Sequence, residues 1–178
     1  MNIKSAILTA LLLIAFCLST VFADENKVGT YNIGVGAGFV TGYGLSYRQW
    51  FGQNGVQLTL SPYYSSDSLS TSFTMSIGLV GLRMIKESRF VNLFAYYGTH
   101  FWYSYDKSTS YIYTNYSNVT KQLVITKDKK LFVGGGPGLD IHFWKLSLNV
   151  MCGLAFSSDL SQSAGLNFSG ETGLYYSF

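Results

Sequence analysis

Charge is scarce in this sequence. Asp, Glu, Lys and Arg make up 12% of the 178 residues, against about 25% in a typical soluble domain. Cysteine is scarcer: Cys17 and Cys152 are the two, and Cys17 lies in an N-terminal segment expected to be removed. The one remaining thiol excludes an internal disulfide and a cysteine-built zinc site. Beyond residue 23 no apolar run approaches the roughly 18–20 residues that a membrane helix requires. Helical periodicity is missing throughout. With Lys4 set aside, 11 basic and 9 acidic side chains remain, too even a balance to mark a nucleic-acid binder.

Aromatic residues and glycine fill the space instead, at 17% and 19 residues. The first 23 residues read as a secretory signal: Lys4 supplies the positive start, Ala6 to Leu18 the apolar core, and Val21-Phe22-Ala23 the cleavage site. The mature chain is then one domain over 24–178. A secreted, charge-poor, aromatic-rich chain without helical pattern calls for strands.

Eight segments alternate with period 2 between turn signals. Tyr31, Ile33, Val35, Ala37 and Phe39 oppose Asn32 and Gly34, Gly36 and Gly38. Thr41-Gly42 turns the chain into Leu45, Tyr47 and Phe51 against Ser46, Arg48 and Trp50. Gly52-Gln53-Asn54-Gly55 carries Asn-Gly hairpin chemistry and leads to Val56, Leu58 and Leu60 against Gln57, Thr59 and Ser61. The fourth segment sets Phe73, Met75, Ile77 and Leu79 against Ser72, Thr74, Ser76 and Gly78, and its phase blurs at Val80-Gly81-Leu82. The fifth runs from Val91 to Tyr103 with Asn92, Phe94, Tyr96, His100 and Trp102 on the polar side. The sixth, Leu131 to Phe143, places Asp140 and His142 with glycines. The seventh sets Leu146 to Phe156 against Ser147, Asn149 and Met151, and the eighth is Leu166 to Phe178. Every second connection, at Gly52–Gly55, Lys86–Arg89 and Trp144–Lys145, is very short. The others include Ser65–Ser70, a 25-residue loop from Asp106 to Lys130, and Ser157–Ala164. This is the asymmetry of outer-membrane barrels, whose even strand number returns both termini to one side.

The final residues, Glu171-Thr172-Gly173-Leu174-Tyr175-Tyr176-Ser177-Phe178, run polar, any, Gly, any, any, aromatic, any, aromatic. This order resembles the C-terminal assembly signal of bacterial outer-membrane β-barrels, with Gly173, Tyr176 and Phe178 at its defining positions. The resemblance implies recognition by the barrel assembly machinery. With the strand count and leader, the mature chain resembles small barrels of the OmpA transmembrane-domain and OmpX type. The fold expected is all-β: an eight-stranded, antiparallel, up-and-down transmembrane barrel in the outer membrane of a Gram-negative-type bacterium.

A soluble lipocalin-like barrel would also alternate. Its outer face would carry Lys and Glu, whereas the polar set here is Gly, Ser, Asn and Thr, the small residues that fit inside a narrow wall. The opposite face is apolar over a tilted strand's crossing length, and only a closed barrel satisfies every backbone hydrogen bond there. Aromatics gather near both strand ends, with Phe51, Phe90, Phe143, Trp144, Tyr176 and Phe178 at one and Phe39, Tyr43, Tyr63, Tyr64, Phe73, Tyr103, Tyr105 and Phe156 at the other. Two such girdles belong at membrane interfaces.

Inward charges must pair in a lumen filled by side chains. The expectation is a structural network in the periplasmic half in which Arg48 reaches Glu171, Asp140 or both; Arg83 joins the inner set if its segment keeps the preferred phase. No cofactor, metal or catalytic residue is expected. His100 and His142 point inward, and neither stands two residues from a serine, the spacing that lipid A deacylase barrels carry. Gly134-Gly135-Gly136-Pro137-Gly138 lacks the helix a phosphate loop needs.

The function expected is structural, or one of adhesion or ligand contact at the cell surface. Its carrier is the Asp106–Lys130 loop, with Tyr111, Tyr113 and Tyr116 on one side of a hairpin and Leu123, Val124 and Ile125 on the other. Lys121, Lys127, Lys129 and Lys130 are candidates for lipopolysaccharide phosphates, and an extracellular protein or surface ligand is the further partner. A small porin or transporter of hydrophobic compounds is the second reading, and a soluble lipocalin-like binder the third.

Overall fold

The structure, a computed structural model, describes residues 30–113, 119–159 and 164–178. These form β1 (Thr30–Gly38), β2 (Gly44–Phe51), β3 (Asn54–Ser66), β4 (Ser70–Lys86), β5 (Val91–Tyr113), β6 (Val119–Phe143), β7 (Leu146–Asp159) and β8 (Ala164–Ser177). Each strand pairs antiparallel with the next, and β8 closes on β1. The leader expected over residues 1–23 lies outside the described residues.

Alternation drives the closure. Outward-facing Leu45, Phe168, Leu166 and Val35 are among the most exposed apolar side chains in the chain. Their inward neighbours Ser46, Arg48, Asn149, Ser169 and Tyr175 are buried. Such a sheet has two incompatible faces, and curling it into a ring gives each its own environment while abolishing the edges.

The interior is mixed. Trp50, Val80, Leu82, Phe94, Tyr96, Met151 and Ala155 form an apolar cluster with Val40. Two of its rings lie over glycines of nearby strands: Phe94 lies where Gly138, its partner on β6, would carry a Cβ, and the Tyr96 Oη lies 2.9 Å from that position at Gly153 on β7. In the glycine run that lacked a phosphate loop's helix, Gly138 makes room for Phe94 and Met151 of the adjacent strands, while Gly135 and Gly136 press against neighbouring backbone.

Four local expectations change. The Asn54-Gly55 pair is not the turn, because Phe51 pairs with Asn54. The two-residue connection is Gly52-Gln53, with Gly52 at φ 60°, the positive value a type II′ hairpin needs at its first central position. In β4 the alternation runs unbroken through Val80 and Leu82 to Met84, and the register shifts only between Met84 and Lys86. Arg83 therefore points outward, exposed, and donates to Asn54 Oδ1 at 2.6 Å; it is no part of the inner set. β5 does not stop at Tyr103 nor β6 begin at Leu131: residues 106–113 and 119–130 of the expected loop continue them to 23 and 25 residues, in the hairpin expected there. Finally, the β1–β2 turn bends into the lumen, at Gly42 and Gly44 with φ 78° and 120°. It carries Phe39 and Tyr43 off the expected girdle and inside the ring, where Phe39 packs on Phe132 and Tyr43 on His100 and Trp102.

Candidate functional site

The lower lumen is organised by Arg48. Its Nη1 donates to both oxygens of Asp140, at 3.0 and 2.9 Å, and Nε and Nη2 donate to Gln57 Oε1. The guanidinium lies over the Tyr175 ring at 4.1 Å and near Phe94 at 5.8 Å. Asn149 Nδ2 donates to Asp140 Oδ1 at 2.7 Å. β2, β6, β7 and β8 are thus tied through one buried ion pair, the arrangement in which a desolvated charge survives.

Glu171 is elsewhere. Its carboxylate accepts the Val40 N–H at 2.9 Å, the Thr41 N–H at 2.8 Å and the Ser169 hydroxyl. The expected Arg48–Glu171 link is replaced by a receptor for the inward turn. The reason is register: Glu171 stands opposite Gly38 at the far end of β1, whereas Arg48 stands opposite Asn32 near its start. Inward direction was readable from alternation, but height along the axis was not.

The turn is held on its other side too. Gly38 and Gly42 exchange backbone hydrogen bonds at 3.1 Å around Phe39-Val40-Thr41. The Tyr43 N–H donates to Ser76 Oγ at 3.0 Å, and Ser76 Oγ lies 2.9 Å from His100 Nε2. His100 Nδ1 lies 2.9 Å from the Phe39 carbonyl. A carbonyl only accepts, so Nδ1 carries the proton, and the neutral ring takes the Ser76 O–H at Nε2. Ser76 and His100 have the separation of a nucleophile and its base, yet both are buried and committed to the turn. They act as a tether. The wall makes room for it: a Cβ at Gly78 would strike the Thr41 carbonyl, and one at Gly134 would lie 2.8 Å from Val40 Cγ2.

Below Arg48 a polar cavity of about 430 Å³ opens at the short-turn end, lined by Asn32, Trp50, Glu87, Arg89, Asn92, Asp140, His142 and Ser147 among others. Asn92 Oδ1 accepts the Ser88 N–H at 3.0 Å, which turns its Nδ2 toward His142 Nε2 at 2.9 Å. The cavity ends against Asp140.

At the opposite end, β5 and β6 pair as far as Tyr113 and Val119. β4 leaves β5 at Ser108, and β7 leaves β6 at Lys130. On the outer face Lys127 Nζ lies 5.7 Å from the Tyr105 ring and Lys129 Nζ 5.9 Å from Tyr103; Lys130, facing inward, lies 5.9 Å from Trp102. Leu123, Val124 and Ile125 are exposed. Tyr111 and Tyr113 hold strand positions opposite Lys121 and Val119, and Tyr116 lies outside the described residues.

No protein-family model matches the sequence, and no curated protein does. Solved structures do. The major outer membrane protein of Thermus thermophilus is 15% identical with a TM-score of 0.50, over 85% of this chain and 100% of that one. The chain has the fold of an outer-membrane β-barrel. Weaker likenesses are Ail, the attachment invasion locus protein of Yersinia pestis, at 13% identity and TM-score 0.47, and the N-terminal barrel domain of Pseudomonas aeruginosa OprF at 14% and 0.43. These cover 84% of this chain and 97% and 96% of theirs.

In such a barrel the short-turn end is periplasmic and the outward apolar side chains meet lipid. The terminal strand fits its place. The Tyr176 and Phe178 rings meet edge to face at 5.2 Å, and the Phe178 N–H donates to the Tyr31 carbonyl at 3.1 Å. Gly173 faces inward beneath the Tyr175 ring, 2.6 Å from where a Cβ would stand. The inward turn and its receptor are what sequence reasoning missed; the only local signal was Gly38, Gly42 and Gly44 bracketing three ordinary residues.

Proposed function

We propose that this outer-membrane barrel works by contact at the cell surface, through the β5–β6 hairpin, and not by catalysis or flux. The observation that carries this reading is that β6 outruns β7. From Val119 to Lys129 it has no neighbour on that side among the described residues, an open edge of about 36 Å at 3.3 Å per residue. Unpaired strand edges accept further strands, so an extended segment of an extracellular protein is the first partner. Lys127 and Lys129, presented beside tyrosine rings above the apolar band, suit the phosphates of lipopolysaccharide. Assembly through the barrel machinery, read from Gly173, Tyr176 and Phe178, belongs to the same proposal.

The test is deletion of residues 107–128, closing the hairpin with a short turn. Purified in nanodiscs, the shortened barrel should keep its heat-dependent shift on a detergent gel. It should lose binding to immobilised extracellular-matrix proteins and, with Lys129→Ala added, to lipopolysaccharide that the full chain shows. Undiminished binding by the shortened barrel would overturn the proposal.

A further inference from the structure

The wall of the barrel is complete only in its lower part. β1 and β2, nine and eight residues long, are the shortest strands. β8 pairs with β1 no higher than Glu171, and β3 pairs with β2 no higher than Leu60. Above those points β8 continues from Gly170 to Ala164 and β3 from Ser61 to Ser66, each held on its other edge by β7 or β4. The chain that would stand between them has turned into the lumen. The result is a notch where two strands are missing, three strand spacings or about 14 Å wide.

Its level in the membrane follows from β8. Glu171 is seven positions above Phe178, about 18 Å up the membrane normal for a strand tilted near 40°. The lipid-facing band of such a barrel is about 25 Å tall. The notch therefore begins inside the band, and the outward side chains at its rim, Leu45, Leu60, Leu166 and Phe168, are exposed and apolar.

The space behind it is lined by aromatic side chains, with Lys130 facing in beside Trp102. The inward turn makes a floor of Phe39 and Tyr43, both partly exposed although they lie within the ring. The back wall is Phe132, 5.8 Å from Phe39, and Trp102, 6.2 Å from Tyr43. Tyr63 stands opposite Thr74 and Asn167 opposite Ala155, inward-facing positions, yet both are exposed. The floor's backbone is already satisfied by Glu171, Ser76 and His100, which is the condition under which irregular backbone survives at membrane depth.

We infer that this notch is a lateral lipid site, in which an acyl chain of the surrounding leaflet enters between β8 and β3 and lies on Phe39, Tyr43 and Trp102. Membrane lipid is the occupant because the opening faces the apolar band and not the medium. The inference rests on membrane residence but not on the hairpin's role.

Trp102 reports on it. In the variant W50F/W144F it is the remaining tryptophan of the three. The variant is folded into phosphatidylcholine vesicles with ordinary or brominated acyl chains, bromine being a contact quencher. Insertion is checked by the gel shift. The expected result is loss of most Trp102 emission in brominated vesicles, and its recovery when Asn167→Phe, a bulkier and weakly emitting side chain, narrows the notch. Correct insertion with unquenched emission would overturn the site. So would quenching that Asn167→Phe and a second filler, Ser61→Phe, leave unchanged, since the chain would then have another route. Failure of the unsubstituted chain to insert under the same conditions would instead count against the membrane reading itself.

Discussion

At the scale of single residues, what matters inside this barrel is which charges meet. Arg48→Ala leaves Asp140 buried without its cation, and loss of one partner of such a pair costs about 3–5 kcal/mol. Urea unfolding in lipid vesicles should show that loss, whereas Asp140→Asn, which keeps hydrogen-bonding capacity toward Arg48, should cost less. Glu171→Gln is a different probe. The amide nitrogen cannot accept from the Val40 or Thr41 N–H, so one of these donors loses its acceptor. Hydrogen exchange at those two amides should accelerate while the rest of the barrel stays protected; unchanged protection would show that the carboxylate does not hold the turn. Alternation disclosed that Arg48, Asp140 and Glu171 point inward, because each shares parity with small polar neighbours. Arg48 with Asp140 was one of the pairings this allowed; that Glu171 stands apart from them was hidden, because it depends on the stagger between β1, β2 and β8, which is a property of ring closure and leaves no local trace.

Among the elements, the β6–β7 hairpin has an unusual hinge. Phe143 pairs with Leu146, so the turn is Trp144-Lys145, and Trp144 adopts φ 64° without being glycine. The left-handed conformation costs an ordinary residue about 1–2 kcal/mol. Comparing Trp144→Gly with Trp144→Ala isolates that cost, since both remove the indole. The glycine variant should be the more stable of the two by about 1 kcal/mol in chemical unfolding. The short connection was legible in the sequence from the strands flanking it, but the strain was not, since Trp is no turn former. The terminal strand is the opposite case. Its pattern was readable to the last residue, and Phe178 donates its N–H to Tyr31 and packs on Tyr176. Removing Phe178 should lower the yield of folded barrel in cells far more than it alters binding by the fraction that folds, as the heat shift on gels of outer-membrane fractions would record.

For the whole molecule, the lumen is occupied by Arg48 with Asp140, the apolar layer around Phe94 and Tyr96, and the inward turn. Planar-bilayer recordings should therefore show no large stable conductance, and a steady open channel would sink the filled-lumen reading. The global architecture was the most legible feature of all. Lipid on one side and a cramped interior on the other leave almost no freedom in which residue types each face carries. The long β5–β6 hairpin was legible as a hairpin but not as an unbroken continuation of the two barrel strands, because above the membrane both its faces meet water and the alternation loses its contrast. The bend of residues 39–43 was illegible for a related reason: a turn signal reads the same whether the chain folds outward or in.

Strand lengths differ around this cylinder, and a bilayer must respond to that. On the β1 side the paired wall spans about 23 Å for nine residues at a 40° tilt, slightly short of the apolar band of about 25 Å. On the β5–β6 side it is amply long. Hydrophobic mismatch confined to one flank is relieved by tilting the body or thinning the leaflet beside the short strands, each at a modest cost per ångström. The barrel should therefore lean in the membrane, favour thin bilayers over thick ones, and gather with other proteins where their short flanks share one thinned patch of lipid.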